Sequence, residues 1–476
     1  METTPQTPTP LVAMVATPGM GHLIPLVELA KRLVSNHNLQ VTLIIPNDGT
    51  PMDSSNQLLK TLPASISSIL LPLISFHDLP EGTKIENRIA LSVTRSMPAL
   101  RDSLKVLTES TRLLAVVADL FATETFSVAE EFGLTPYLFF PTNAMVLSLI
   151  FHLPKLDETY LCEYRDIPEP IKLPGCFPVH GRDFPSSVQD RNDMAYKRIV
   201  HRAKQYRQPA GIIVNSFVDL EPGAFEALMR GEPGLPPIYP VGPVVKTGSR
   251  LIEPTDESGC VHWLDNQPSG SVIFVCFGSG GTLSQEQLNE VAFGLEMSGQ
   301  RFIWVVRIPD EKAANAAYFG FQTRDPLEFL PDGFLDRTRG LGLVVRRWAP
   351  QIEVLRHVST GGFVTHCGWN STLEGIVNGV PLIAWPLYAE QRMNAVLVAD
   401  DLKIGIRVKG NENGLVGREE IVEYAKRLIE GEEGKMIRER MRQVKEAASR
   451  ALSKDGSSAN SLAKLVEIWK SKDKKC

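Results

Sequence analysis

The chain has 476 residues, 43% of them hydrophobic and 22% charged, with a formal net charge of −5. These proportions fit an ordinary globular protein, and the length exceeds what one core serves, so two or three domains are expected. A negative balance without any long Lys/Arg block argues against a nucleic-acid partner.

The N-terminus, METTPQTPTP, has no basic region followed by an apolar run and does not read as a secretory signal. LVAMVA (Leu11 to Ala16) reads as a buried parallel strand, followed by the loop TPGMGH, an amphipathic helix around Ile24 to Val34 and the strand VTLII. LLAVVAD, YLFF and GIIVNSF are further strand candidates. The segment Pro136 to Leu153 comes nearest to a spanning helix, but Pro141, Thr142 and Asn143 interrupt it. The Pro- and Gly-rich stretch from Gly231 to Val245 reads as a link between halves.

The pattern then repeats. SVIFVCF (Ser271 to Phe277) is a strand, GSGG a loop, and a helix begins near Ser284, where Ser284 and Gln287 have capping-box spacing. RFIWVVR, LGLVVRRWA, TGGFVTH and VPLIAW follow as strands. Such β-loop-α-β units imply parallel sheets with right-handed crossovers. The expected fold is therefore α/β, two Rossmann-like domains facing each other across a cleft, divided at 1–245 and 246–454. Ligands of such sheets sit beyond the carboxyl ends of the strands. Lys470, Lys472, Lys474 and Lys475 read as a solvated tail.

The six cysteines (Cys162, Cys176, Cys260, Cys276, Cys367, Cys476) show no metal-ligand spacing, and no Asp-x-Asp pair sits in the motifs, so no metal is expected. Cys276 and Cys367 lie in apolar strand contexts and read as buried thiols. Asn370-Ser371-Thr372 is a formal glycosylation sequon, but a glycan there would block the phosphate site proposed below, which fits a cytoplasmic protein.

The densest stretch, WAPQIEVLRHVSTGGFVTHCGWNSTLEGIVNGVPLIAWPLYAEQ, runs from Trp348 to Gln391. Trp348 offers a flat face for a base, or a core side chain. His366, Asn370 and Ser371 sit at a strand-to-helix junction, where backbone N–H groups and the helix dipole favour a phosphate. Glu374 falls one turn beyond Asn370 and can accept from ribose hydroxyls. Glu390 and Gln391 open the next helix with groups suited to sugar hydroxyls. Ser279, among Gly278, Gly280 and Gly281, could donate to a phosphate, although Gly after a strand is often only a turn. Neither Gly-rich loop reads G-x-G-x-x-G, which argues against a dinucleotide dehydrogenase.

Two N-terminal residues carry proton chemistry. His22 follows the first strand and could be a general base, or a capping or packed histidine. Asp119 ends an apolar strand, where an acid is costly unless paired. It could orient a histidine on the neighbouring loop, or cap a helix starting near Thr123.

The Trp348–Gln391 stretch, together with PGMGHLIPLVELAKRL and CFGSGGTLSQEQLNEVA, resembles the plant family 1 UDP-glycosyltransferases over essentially the whole chain. The nearest-looking branch is the hydroquinone (arbutin-forming) and small-phenol glucosyltransferases, indoxyl-glucosylating members included. The resemblance implies a GT-B type fold whose last helix, here within 455–476, packs back on the first domain. It implies a His22–Asp119 base dyad, uracil stacking on Trp348 beside Ala349 and Gln351, and Trp369 lining the sugar pocket. It places Glu86, Phe121, Met145 and Phe151 near the acceptor. Many members carry Asp-Gln where this chain has Glu390-Gln391, and the family associates that glutamine with glucose donors. The expected activity is an inverting, metal-independent transfer of glucose from UDP-glucose, a co-substrate, to small aromatic hydroxyls by a monomer, with no cofactor. UDP-xylose, UDP-galactose or UDP-rhamnose as donor, or nucleotide-sugar binding without turnover, are the competing readings.

Overall fold

Most of the apolar runs become strands buried on both faces, the edge strands being more open, and they assemble into two separate parallel sheets. The computed structural model describes residues 9–49, 53–79, 83, 85–231, 233–246, 258–316 and 324–472. Met1 to Pro8, Lys474, Lys475 and Cys476 lie outside the described residues, as does the side chain of Lys472. The chain divides into two compact units: Met1–Pro178 with Ser187–Val245 and Arg450–Cys476, and Val179–Ser186 with Lys246–Ser449.

The first unit holds β1 (Leu11–Val15), β2 (Gln40–Asn47), β3 (Ile66–Leu73), β4 (Leu113–Asp119), β5 (Pro136–Phe140), β6 (Ile212–Val214) and β7 (Ile238–Pro240). Their order is β3-β2-β1-β4-β5-β6-β7. In register, Ala13 stands between Thr42 and Val116. The second unit holds β8 (Val272–Cys276), β9 (Arg301–Val306), β10 (Gly342–Arg346), β11 (Thr360–Thr365), β12 (Leu382–Ala384) and β13 (Gly405–Arg407), in the order β10-β9-β8-β11-β12-β13. In each sheet the chain builds outward from a central strand, then returns to its other side. The strand order therefore reverses at β1/β4 and again at β8/β11, and the loops leaving those strands diverge to open a crevice.

The first helix differs from the sequence expectation. It runs Met20–His37, and both His22 and Leu23 donate their backbone N–H to the Gly19 carbonyl, at 3.1 and 3.0 Å. Pro25, a residue that favours first turns, draws a sequence reading toward a start at Ile24. Gly19, at φ 108, instead turns the chain directly into the helix. His22 thus sits in a helical first turn rather than in a loop. Leu23, Leu26, Val27, Ala30 and Leu33 form the buried stripe that fastens this helix to the sheet.

Ser284 does cap the helix Gln285–Ser298, accepting from the Gln287 N–H at 3.1 Å. The Gln287 side chain does not return to Ser284. It bridges both ways to the Val416 backbone, at 2.8 and 2.9 Å, so half of the expected box forms. The Gly231–Val245 stretch is also more than a link, since it supplies β7, which pairs with β6. The last helix, Ser457–Lys472, belongs to the first unit and buries Leu462, Leu465, Val466 and Trp469 in that core.

The Pro136–Leu153 stretch splits into β5 and a helix, Ala144–Thr159, whose cap Asn143 accepts from the Val146 N–H. Among the described residues no helix is long and apolar enough to cross a membrane. Cys162, Cys176, Cys260, Cys276 and Cys367 are free thiols, with Cys276 and Cys367 buried as expected.

Candidate active site

The first unit concentrates its polar chemistry at the β1/β4 reversal. Asp119, fully buried, ends β4. Its Oδ1 accepts from Thr17 Oγ1 at 2.6 Å and from the Phe121 N–H at 3.2 Å, and its Oδ2 faces His22 Nδ1 at 3.1 Å. A carboxylate offers only acceptors, so the network assigns the hydrogen to His22 Nδ1 and the lone pair to Nε2. Asp119 is not a helix cap here, because the next helix runs Thr125–Glu131 from Glu124. Phe121 lies against His22 with ring centroids 5.3 Å apart, and the guanidinium of Arg202 covers the Phe121 ring at 4.6 Å. Burial pushes the Arg202 guanidinium below its ordinary value.

The second unit places its polar groups at the β8/β11 reversal and on the loops beside it. Gly278 follows β8 at φ 77, and a Cβ there would meet His366 Cε1 at 2.4 Å. Gly368 approaches the other side, where a Cβ would meet Nε2 at 2.4 Å. The His366 ring is thus held between two glycines, and neither position admits a side chain. Burial, with the Arg307 charge added, pushes His366 down to about 4, so the ring is neutral at pH 7. Its Nδ1 is a buried polar atom with no hydrogen-bond partner among the described residues. The helix Trp369–Asn378 begins next, with Asn370, Ser371 and Glu374 in its first two turns. Gln351 Nε2 donates to Ser371 Oγ at 3.0 Å and to Glu374 Oε2 at 2.5 Å. Burial pushes Glu374 up to about 7, against that hydrogen bond and the charge of Lys246.

Trp348, 68% exposed, stands just past β10, while Ala349 beside it is buried. Ser279 is exposed in the loop after β8, and Trp369 is buried. Gln391 is 3% exposed, and its Oε1 already accepts the Leu387 and Tyr388 N–H groups, both at 2.9 Å. With that oxygen engaged by two backbone donors, Gln391 has N–H donors rather than both functions to offer a ligand. Glu390 Oε1 meets Asn394 Nδ2 at 3.3 Å, and the same nitrogen donates to the Cys367 carbonyl at 2.8 Å. Arg347, Cys367 and Ala389 all carry positive φ, at 61°, 61° and 53°. Strain of this kind on non-glycine residues gathers where a site demands it.

A family model described as UDP-glucoronosyl and UDP-glucosyl transferase matches residues 228–435. A hydroquinone glucosyltransferase of Rauvolfia serpentina is 57% identical, covering 98% of this chain and 98% of that protein. The chain belongs to the plant family 1 UDP-glycosyltransferases. A solved UDP-glucosyltransferase from Polygonum tinctorium, capable of glucosylating indoxyl and bound to 3,4-dichloroaniline, matches at TM-score 0.91 and 49% identity, over 98% of this chain and 99% of that one. Phytolacca americana UGT2, complexed with UDP-2fluoro-glucose and pterostilbene, matches at TM-score 0.89 and 49% identity, over 98% and 100%. In this glycosyltransferase, Phe121 is the acceptor candidate brought against His22. Glu86 lies in the first turn of the helix Ile85–Ser110, and Met145 and Phe151 are buried in the helix Ala144–Thr159. Thr17, Arg202 and Asn394 are site-side residues that the sequence did not single out. Nothing in their sequence context marks them, although Thr17 stands two residues past β1. Among the described residues no group of three or more His, Cys, Asp and Glu side chains could hold a metal ion.

Proposed function

We propose that this enzyme transfers glucose from UDP-glucose to the hydroxyl of small phenolic or other aromatic acceptors, with inversion and without a metal. The observation that carries the reading is the His22–Asp119 pair at the β1/β4 reversal, held by Thr17 and the Phe121 N–H. His22 Nε2 takes the acceptor proton as the acceptor oxygen bonds to the anomeric carbon, and the bond from that carbon to the UDP oxygen breaks. One displacement with no protein nucleophile turns an α-linked donor into a β-glucoside. In the donor unit, Trp348 stacks the uracil, Gln351 and Ala349 bracket it, and Glu374 accepts from the ribose. Ser279, His366, Asn370, Ser371 and the N-terminus of the helix Trp369–Asn378 receive the diphosphate. Because His366 is neutral, it serves as a hydrogen-bonding group and not as a counter-charge. Glu390 accepts from the hexose hydroxyls and Gln391 donates to them.

Residues 1–245 with 455–476, apart from the segment Val179–Ser186 that packs with the second unit, carry the acceptor in this reading, and 246–454 carry the donor. The names of the relatives support a small phenolic or aromatic acceptor. The test is the initial rate of UDP release with UDP-glucose and hydroquinone, with and without EDTA, and proton NMR of the product. A β-glucoside formed at an unchanged rate in EDTA is expected. No release with any phenol, or an α-anomer, overturns the reading.

A further inference from the structure

A short segment of the N-terminal half, Val179–Ser186, belongs to the second unit and not to the first. Its attachments converge on one place. Asp183, 7% exposed, receives both terminal nitrogens of Arg407, the last residue of β13: Nη1 reaches Oδ2 at 3.2 Å and Nη2 bonds Oδ1. Arg392 Nη1 donates to the Arg182 carbonyl at 3.3 Å. The Ser186 N–H and Oγ both donate to the Ala389 carbonyl, at 2.9 and 3.3 Å. Phe184, fully buried, pins the middle of the segment.

Ala389 and Arg392 flank Glu390 and Gln391, the pair assigned above to the hexose. Ala389 lies at φ 53, a conformation that an alanine keeps only when its neighbours impose it. The turn is closed from inside by Gln391 Oε1, which holds the Leu387 and Tyr388 N–H groups. From outside it is tied by Ser186 and by the carbonyl of Arg182, while the bidentate pair of buried Asp183 with partly exposed Arg407 fixes the segment to the sheet.

We propose that Val179–Ser186 is a positioning strap: it holds the Ala389 turn in its left-handed form and so sets the aim of Glu390 and Gln391 at the donor hexose. Asp183, Ser186 and Arg407 are positioning residues that touch no substrate. The inference rests on the donor reading above, because only a sugar at Glu390 and Gln391 makes the turn matter.

The experiment compares UDP with UDP-glucose, since both carry the nucleotide and only one carries the sugar. Binding of each is measured by calorimetry for the full chain and for Asp183→Asn, Arg407→Lys and Ser186→Ala. Relative rates with UDP-glucose and UDP-galactose are measured beside them. Asp183→Asn is expected to weaken UDP-glucose by roughly 5- to 10-fold while UDP changes less than about 2-fold. The glucose-over-galactose preference should fall by a similar factor, and the acceptor KM should not move. Arg407→Lys, which keeps the charge and one hydrogen bond, should fall between the wild type and Asp183→Asn. Ser186→Ala removes only the hydroxyl and tests the same direction even if Asp183→Asn fails to fold. Parallel weakening of UDP and UDP-glucose, or no change in either, makes the segment mere support for the fold and overturns the inference alone. A wild-type enzyme that binds UDP but not UDP-glucose overturns the donor reading and this inference with it.

Discussion

Glu374 is a carboxyl group under protein, where the usual acid would be in water. Burial pushes it up to about 7, so near neutrality the site holds a mixture of acid and carboxylate. In the proposed donor reading ribose hydroxyls donate to Glu374, and a carboxylate accepts them better than the acid does, so the donor would expel the remaining proton as it binds. UDP-glucose is the clean probe, because its diphosphate is a diester and stays ionised. Its affinity should weaken roughly tenfold between about pH 8 and pH 6, and Glu374→Gln should flatten that slope while binding more weakly at the high end. Calorimetry at several pH values checks this, and a slope that survives the substitution sinks it. Stability follows the opposite course. The folded value lies above the ordinary carboxylic-acid value of 4.5, so the folded state binds the extra proton, and its stabilising share is complete below about 4.5 and lost as pH rises through about 7. Denaturation midpoints of wild type and Glu374→Gln should therefore converge in acid and separate with rising pH. The dyad gives a plainer expectation. His22→Ala should cost ~10²–10⁴-fold in turnover, the usual worth of a general base. Asp119→Asn should also slow transfer, because an amide can hold Nδ1 in the wrong tautomer. Both should leave UDP-glucose binding unchanged, and near wild-type rates in His22→Ala would remove the base assignment.

Elements matter here through their ends. β1 and β4 deliver His22 and Asp119, and β8 and β11 deliver Gly278 and His366, so each group of functional side chains stands where a sheet reverses its strand order. Gly278 tests how tightly this is built. Alanine there would need φ 77 and would put its Cβ 2.4 Å from the His366 ring. Gly278→Ala should cut UDP-glucose affinity tenfold or more, with little loss at the His22 step once donor saturates. A donor constant unchanged in steady-state kinetics would show that the His366 ring is free to shift. The inner strands were legible in the sequence because buried parallel strands read as apolar runs, and the site loops because their residue types are chemically distinctive, whereas β3, half exposed at one edge, and the three-residue β7 and β13 carry too short or too broken an apolar run to be read. The start of the first helix was not, since Pro25 favours a first turn that Gly19 supplies earlier. Thr17, Asn394 and the Asp183–Arg407 pair were not legible either. A threonine or arginine acquires its meaning only when topology brings it to a partner, and Thr17 and Asp119 are 102 positions apart. The Gln391 amide had both functions open in sequence, and only the folded turn shows that backbone N–H groups have taken its oxygen.

At the scale of the whole molecule, the two ends of the chain share one core. The strand Leu11–Val15 opens the first unit, and the helix Ser457–Lys472 closes it after the second unit has been built. Trp469 is 1% exposed and meets Tyr137 edge-on, with ring centroids 5.4 Å apart. Leu465 and Val466 are buried beside it, and Ser458 Oγ donates to the Gly242 carbonyl at 2.6 Å, next to β7. The order in sequence thus differs from the order in packing: the N-terminal unit is complete only when the C-terminal helix arrives. Trp469→Ala removes a large buried side chain from that core and should cost about 3–5 kcal/mol. The loss falls on the first unit, while the β8–β13 unit keeps its own core around Phe274, Phe302, Trp304 and Phe334. Scanning calorimetry should show one transition move down by several degrees, with UDP affinity below that transition held within about twofold. The same variant should lose turnover at a lower temperature than it loses UDP binding, because His22 and Asp119 belong to the weakened unit. Simultaneous loss of both, in a single shifted transition, would show that the two cores unfold as one and that the last helix stabilises the whole chain.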